Sequence, residues 1–136
     1  MFRFVSFGEL LMRLSTPHFQ RLEQSKNFEI YFGGSEANVA VALAQWHVSS
    51  KHVSQLPNNE LGTAALQAVG QYGVDVSHIK TEGKRIGIYF YEHGNTWRSP
   101  KVVYDRYHSA FTYLKPEAFN WEEILEGANW FHWSGI

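Results

Sequence analysis

Hydrophobic and polar positions alternate from the first residues of the chain. In "FRFVSFG", Phe2, Phe4 and Ser6 oppose Arg3, Val5 and Phe7, a period of two that predicts a strand. "LLMRLS" follows, with Leu10, Met12 and Leu14 against Leu11, Arg13 and Ser15, and Thr16-Pro17 breaks it. "NFEIYFGG" predicts a third strand, with Phe28, Ile30 and Phe32 against Glu29 and Tyr31. No helical pattern separates these three, which suits an antiparallel or mixed sheet.

The period then changes. From about Ser35 to His47 the chain predicts a helix, with Ser35 as N-cap and Glu36 at the positive end of the helix dipole. Ala37, Ala40, Val41 and Ala44 form one smooth stripe and Val39, Leu43 and Trp46 another, so the helix is expected to be widely buried against a sheet. "KHVSQL" predicts a strand. "NNELGTAALQAVGQYGVD" predicts a second helix with Leu61, Ala65, Ala68 or Val69, and Tyr72 on its inner face, and Gly73 as its left-handed stop. "VSHIKTEG" is a short extended segment. Strand and helix thus alternate to about residue 80, the signature of an α/β sheet.

Beyond that point "RIGIYFYEHG" and "PKVVYDRYHS" alternate around Gly94-Asn95 and predict a hairpin projecting from the α/β body. Its faces set Ile86, Ile88 and Phe90 against Gly87, Tyr89 and Tyr91, and Val102, Tyr104, Arg106 and His108 against Val103, Asp105 and Tyr107. Pro116 fits the first turn of a short helix, "PEAFNWEEILEGA". "WFHWSGI" predicts a buried strand, and its position at the end of the sequence suggests a fragment of a longer chain.

Composition narrows the class. The 136 residues suffice for one domain with a modest core. Twelve basic and thirteen acidic residues give no polyanion-binding surface, which argues against a nucleic-acid partner. With no cysteine, disulfides and thiolate metal sites are excluded. No apolar run is long enough to span a bilayer. The charged opening lacks a small-residue cleavage site, so a cytoplasmic protein is expected. The seven histidines are scattered, without a metal-binding helical pair.

Two constellations carry candidate chemistry. Gly33 and Gly34 stand at a strand-to-helix turn, where bare amides at a helix start suit an anion or polar oxygens; taken by themselves they are better explained by a tight turn that only glycine can make. Asn38, one turn in, offers a donor and an acceptor to hydroxyls, or faces water. Tyr89, Tyr91, Tyr104 and Arg106 would share one face if the hairpin strands pair in that register. That face suits a hydroxylated carboxylate, or is simple cross-strand packing beside a solvated arginine.

"SFGELLMRLS", "YFGGSEANVAVALAQW", "NNELGTAALQAVGQYGVD", "VVYDRYHSA" and "FHWSGI", in this order and spacing, resemble the amino-terminal half of the ribokinase-like (pfkB) carbohydrate kinases over nearly the whole chain. The "GE" after the first strand and the "Y-x-R" strand are most like the 2-keto-3-deoxygluconate kinase branch. The resemblance implies a ribokinase-like α/β fold, here a partial sandwich with a projecting β-sheet lid and without the carboxy-terminal half. Residues 1–136 would be one part-domain, with lid strands near 10–15, 28–33, 86–92 and 101–108. It further implies a sugar site at Gly33, Gly34 and Asn38, a sugar-acid grip at Tyr89, Tyr104 and Arg106, a pocket wall at Ile136, and an acidic sugar contact at Glu9. Such enzymes use ATP with a divalent cation such as Mg2+, and often dimerise through the lid. Two departures stand out: His47 replaces a family glycine, and Asn58-Asn59 replace acidic residues. The family's "GAGD" anion hole and base lie in the other half, so no catalytic, cofactor or metal residue is expected in this one, and this chain alone is expected to be inactive. Fructokinase or another pfkB sugar kinase is the alternative, and a non-catalytic sugar-acid-binding or dimerisation module is the alternative of another class.

Overall fold

A computed structural model describes residues 2–135. The elements run β1 (Arg3–Phe7), β2 (Leu11–Ser15), β3 (Glu29–Gly33), α1 (Ser35–Gln45), β4 (Ser49–Leu56), α2 (Glu60–Gly70), β5 (Ile79–Thr81), β6 (Ile88–Glu92), β7 (Lys101–Asp105), α3 (Trp121–Leu125) and β8 (Trp130–His132). They form two four-stranded sheets, ordered β5-β4-β1-β8 and β3-β2-β6-β7. The first is parallel throughout. The second is mixed: β2 pairs antiparallel with β3 and parallel with β6, and β6 pairs antiparallel with β7.

The hydrophobic pattern explains this division. β1 is apolar on both faces. Phe4 enters a core with Ala37 and Ala40 of α1, Ala65 and Val69 of α2, and Leu56 of β4. Val5 enters a smaller core with Val53, Phe119 and Ile124 on the opposite face. Burial on both faces is what a parallel sheet needs. Leu10, Met12 and Ile86 also enter the first core, so the second sheet roots its inner end in the same cluster.

Several elements depart from the pattern. The hairpin does not stand apart, because β6 lies beside β2 in parallel register and becomes an inner strand. Helix α1 is capped by Gly34 in extended conformation, with no side-chain cap, and Ser35 is its first helical residue. It ends at Gln45, and His47 takes the left-handed position (φ 61°) that the resemblance assigns to glycine. Its second stripe is only part-buried: Trp46 is 74% exposed and Val39 is also exposed, whereas Leu43 packs against the first core together with Val41 and Ala44 of the other stripe. On α2 the inner face is Gly62, Ala65 and Val69, one step round from Leu61 and Tyr72, which are exposed. Asn59 accepts from the Leu61 and Gly62 amides and sets that phase. Gly73 does adopt the left-handed conformation (φ 85°).

The 116–127 segment is not one helix. Pro116–Ala118 is a 3-10 turn; Phe119 then extends to bury its ring, and Asn120 caps a new helix at the Glu123 amide. β7 stops at Asp105, short of His108, which has φ 57° in the turn that follows. β8 is a three-residue strand, half open to solvent rather than buried, with Trp130 59% and Trp133 64% exposed.

Candidate functional site

The connection Gly8-Glu9-Leu10 carries the chain from one sheet to the other, and Glu9 is its pivot. Its side chain is 2% exposed. One carboxylate oxygen accepts from the Ser109 hydroxyl at 2.6 Å and the other pairs with the Arg106 guanidinium. Its main-chain carbonyl lies against the Cα of Gly34, in the space a side chain there would fill. Gly34 and Arg106, distant in sequence and on different elements, are thus joined through one residue.

From Arg106 the site extends over the second sheet. Its guanidinium carbon lies 5.8 Å from the centre of the Tyr104 ring. Tyr104 pairs with Tyr89 across the β6–β7 ladder, their ring centres 5.9 Å apart. The same face continues to Arg13, register partner of both Tyr89 and Tyr31, with its guanidinium 4.4 Å from the Tyr31 ring and 5.6 Å from that of Tyr91. The strand alternation that groups Tyr89, Tyr91, Tyr104 and Arg106 therefore corresponds to a real surface. It omits Arg13, whose role needs the β2–β6 pairing, which local alternation does not reveal. Gly87 keeps this face open beside Arg106: a Cβ there would stand 2.6 Å from the Glu9 carboxylate.

The glycine turn opens on a different hollow. Gly33 closes β3 with the Asn38 amide oxygen against it; a Cβ on Gly33 would come within 2.9 Å of that oxygen. Asn38 is exposed, and its side chain has no hydrogen bond among the described residues. Gly33, Asn38, Val41, Val69 and Tyr72 line a cavity of about 310 Å³. Arg106 faces a separate cavity of about 360 Å³ with Tyr107, His108, Thr112 and Tyr113. Gly34, Glu9, Arg106, Tyr104 and Tyr89 are contiguous, then, while Gly33 and Asn38 flank them on the helix side. Ile136 lies outside the described residues.

A buried polar seam runs between α1 and the first sheet. Ser6 of β1 and His52 of β4 are register partners, bonded Oγ to Nδ1 at 2.8 Å. Burial pushes the His52 imidazole down to about 4, against an opposing pull from the Glu36 charge. Glu36 is fully buried, with one carboxylate oxygen on Ser134 and the other packed on the Cα of Gly8. A first-turn acid ordinarily points to water. The available signal was its spacing of four from Ala40, which sets it on the buried face.

The two aspartates of this chain are both engaged in ion pairs. Asp105 pairs with Arg85. Asp75 pairs with Lys51, and although burial acts against it, hydrogen bonds from Ser77 hold its carboxyl below the usual range. No cluster of three His, Asp or Glu side chains suited to a metal ion occurs among the described residues. No helix among them is long and apolar enough to cross a membrane.

The profile of the pfkB family carbohydrate kinases matches residues 1–136. A 2-dehydro-3-deoxygalactonokinase of Haloferax volcanii is 35% identical over 132 residues, covering 97% of this chain and 41% of that protein. The crystal structure of 2-dehydro-3-deoxygluconokinase from Thermotoga maritima superposes with a TM-score of 0.94 at 48% identity, over 97% of this chain and 40% of that one. An ATP complex of a sugar kinase from Pyrococcus horikoshii superposes with a TM-score of 0.84 at 28% identity, over 94% and 41% of the two chains. The chain spans about two fifths of the length of these relatives.

Proposed function

This chain belongs to the pfkB family of carbohydrate kinases, and from that premise we propose that it is the sugar-binding half of an ATP-dependent kinase acting on 2-keto-3-deoxygluconate or a related sugar acid. The observation that carries the reading is the joint at Glu9, which sets the helix start at Gly34 beside the Tyr89–Tyr104–Arg106 surface. Arginine matches a carboxylate through paired N–H donors, and tyrosine hydroxyls match sugar hydroxyls. The relatives named for ketodeoxy sugar acids support the same substrate class.

In this reading the second sheet is the lid of the sugar site and the surface through which two copies associate, in the cytoplasm. Gly33, Gly34 and Asn38 would hold the sugar from below and Tyr89, Tyr104 and Arg106 its acid end; Glu9 holds Arg106 in place, and the resemblance assigns a sugar contact to Glu9 and the pocket wall to Ile136. ATP and a divalent cation would supply the phosphoryl group and its charge neutralisation. This chain contributes a positioned hydroxyl, and the base and anion hole come from sequence beyond it, so the chain alone transfers no phosphate.

One observation favours a second substrate. The Glu9–Arg106 pair places a carboxylate where the sugar acid's own would approach, and that arrangement suits a neutral hexose such as fructose. A substrate panel on the complete kinase separates the two. The sugar-acid reading expects turnover of 2-keto-3-deoxygluconate, its loss in Arg106→Ala, and no change of any fructose turnover in that variant. A complete enzyme that ignores sugar acids overturns it. A complete reading frame that lacks a glycine-rich segment with an aspartate, and shows no transfer to any sugar, would instead mark a binding or dimerisation module.

A further inference from the structure

We propose that Glu36 is a positioning residue that clamps the segment following β8, Trp133–Gly135, and thereby sets the wall of the sugar pocket at its far end; the consequence for sugar binding rests on the function proposed above. β8 leaves its pairing with β1 at His132, which is opposite Ser6. Past that point the described residues, 133–135, are in no strand or helix. The hydrogen bonds described beyond His132 both end on one atom: Glu36 Oε1 accepts the Ser134 amide at 2.9 Å and the Ser134 hydroxyl as well. A carboxylate accepting two donors away from water makes strong, directional bonds.

The clamp is rigid on the other side. Glu36 is fully buried and belongs to the first turn of α1, where the helix dipole favours its charge. Its second oxygen has no hydrogen-bond partner among the described residues and packs on Gly8, which has no side chain to displace it. Gly8 begins the joint that carries Glu9, and Gly34 is the cap two residues before Glu36. One carboxylate therefore ties three strands of the chain that meet at the site: the β1–β2 joint, the helix start and the segment after β8. No periodicity marks this link, because it pairs residues 98 apart in sequence.

The test uses the complete kinase with two readouts, hydrogen exchange of the Ser134 amide and steady-state kinetics. Glu36→Ala should speed that exchange by about tenfold or more and raise KM for the sugar by about tenfold, the loss expected of a buried charged hydrogen bond. KM for ATP and kcat should stay within about twofold, as for a group that acts on ground-state binding of one substrate. Glu36→Gln keeps an acceptor oxygen for both donors and should recover most of the affinity and the protection. Ser134→Ala removes one donor and leaves Glu36 and Gly8 in place, so it should show the same shifts at smaller size even if Glu36→Ala folds poorly. The inference falls if Ser134 exchange is unchanged in Glu36→Ala or Ser134→Ala, if Gln is as harmful as Ala, or if ATP affinity declines in parallel. If the wild type takes only neutral sugars, the ketodeoxygluconate reading fails, and exchange together with KM for the accepted sugar still decides the clamp.

Discussion

The Glu9 carbonyl occupies the space that a Cβ on Gly34 would need, and that contact is with main chain, which cannot swing aside. The backbone of Gly34 is extended (φ −170°), so any residue could adopt it, and the demand for glycine comes from packing alone. Gly34→Ala should therefore lower stability by about 1–3 kcal/mol, as overpacking does, read from the urea midpoint at unchanged slope. An unchanged midpoint would mean that the joint gives way and that glycine serves the ligand. The Glu9–Arg106 pair makes a second demand. Glu9→Gln still accepts from Ser109 but leaves Arg106 without its carboxylate, at an expected cost of about 2 kcal/mol, below the usual range for a broken buried pair because Arg106 is 29% exposed. A loss no larger than that of Ser109→Ala would show that the ion pair contributes nothing. The resemblance alone points to Glu9, whereas Gly34 and Arg106 stand out already by the strand-to-helix turn and the strand alternation. Their being in contact was not legible, since it depends on two crossings between sheets.

Among the elements, β4 and α1 show what periodicity conveys and what it omits. Alternation located β1, β2 and β3 within a residue or two, because a half-buried strand must alternate, and it overran β6 and β7, where the alternating pattern continues past the paired residues. Neighbour choice was hidden: nothing in the hairpin says that β6 will lie parallel beside β2. Helix phase was legible only in part. The small residues of α1 and α2 marked a buried side, but capping by Gly34 and Asn59 fixed which residues face in. The polar face of β4 follows from no local pattern, and it has a thermodynamic consequence. His52 sits between Ser6 of β1 and the charge of Glu36 on α1, with His132 of β8 across the register from Ser6, and its folded pKa of about 4 lies below the ordinary 6.5. The unfolded chain then binds the proton first on acidification. Stability is full above about pH 6.5, declines between 6.5 and 4, and loses up to ~3 kcal/mol across that window. His52→Gln should flatten this part of the unfolding profile. Asp75, whose folded pKa is lowered from a smaller ordinary value, acts in the same direction only at more acid pH. A profile of equal slope in wild type and variant would show that His52 does not titrate on unfolding.

For the molecule as a whole, the two sheets leave apolar surface in two places. On the second sheet, Ile30 of β3 and Val103 of β7 end a row that runs through Leu14 and Phe90, and both ends are exposed. On the first, β8 is the outer strand, and Trp130 and Trp133 stand open beside it. A free strand edge with large apolar side chains is a template for association. The 136-residue chain should accordingly self-associate at micromolar concentration, measured by light scattering after size exclusion. The two surfaces can be told apart. Val103→Lys charges the second sheet, and Trp133→Ser reduces the surface beside β8. If the second sheet is the dimer surface and the edge is covered by sequence beyond this chain, the complete kinase should remain dimeric, lose its dimer with Val103→Lys, and be indifferent to Trp133→Ser in assembly. In the 136-residue chain both changes should reduce association, because both surfaces are open there. A monodisperse monomer of this chain would sink the whole expectation. A complete enzyme whose dimer survives Val103→Lys would move the contact off that row and leave the second sheet as a cover for the sugar alone.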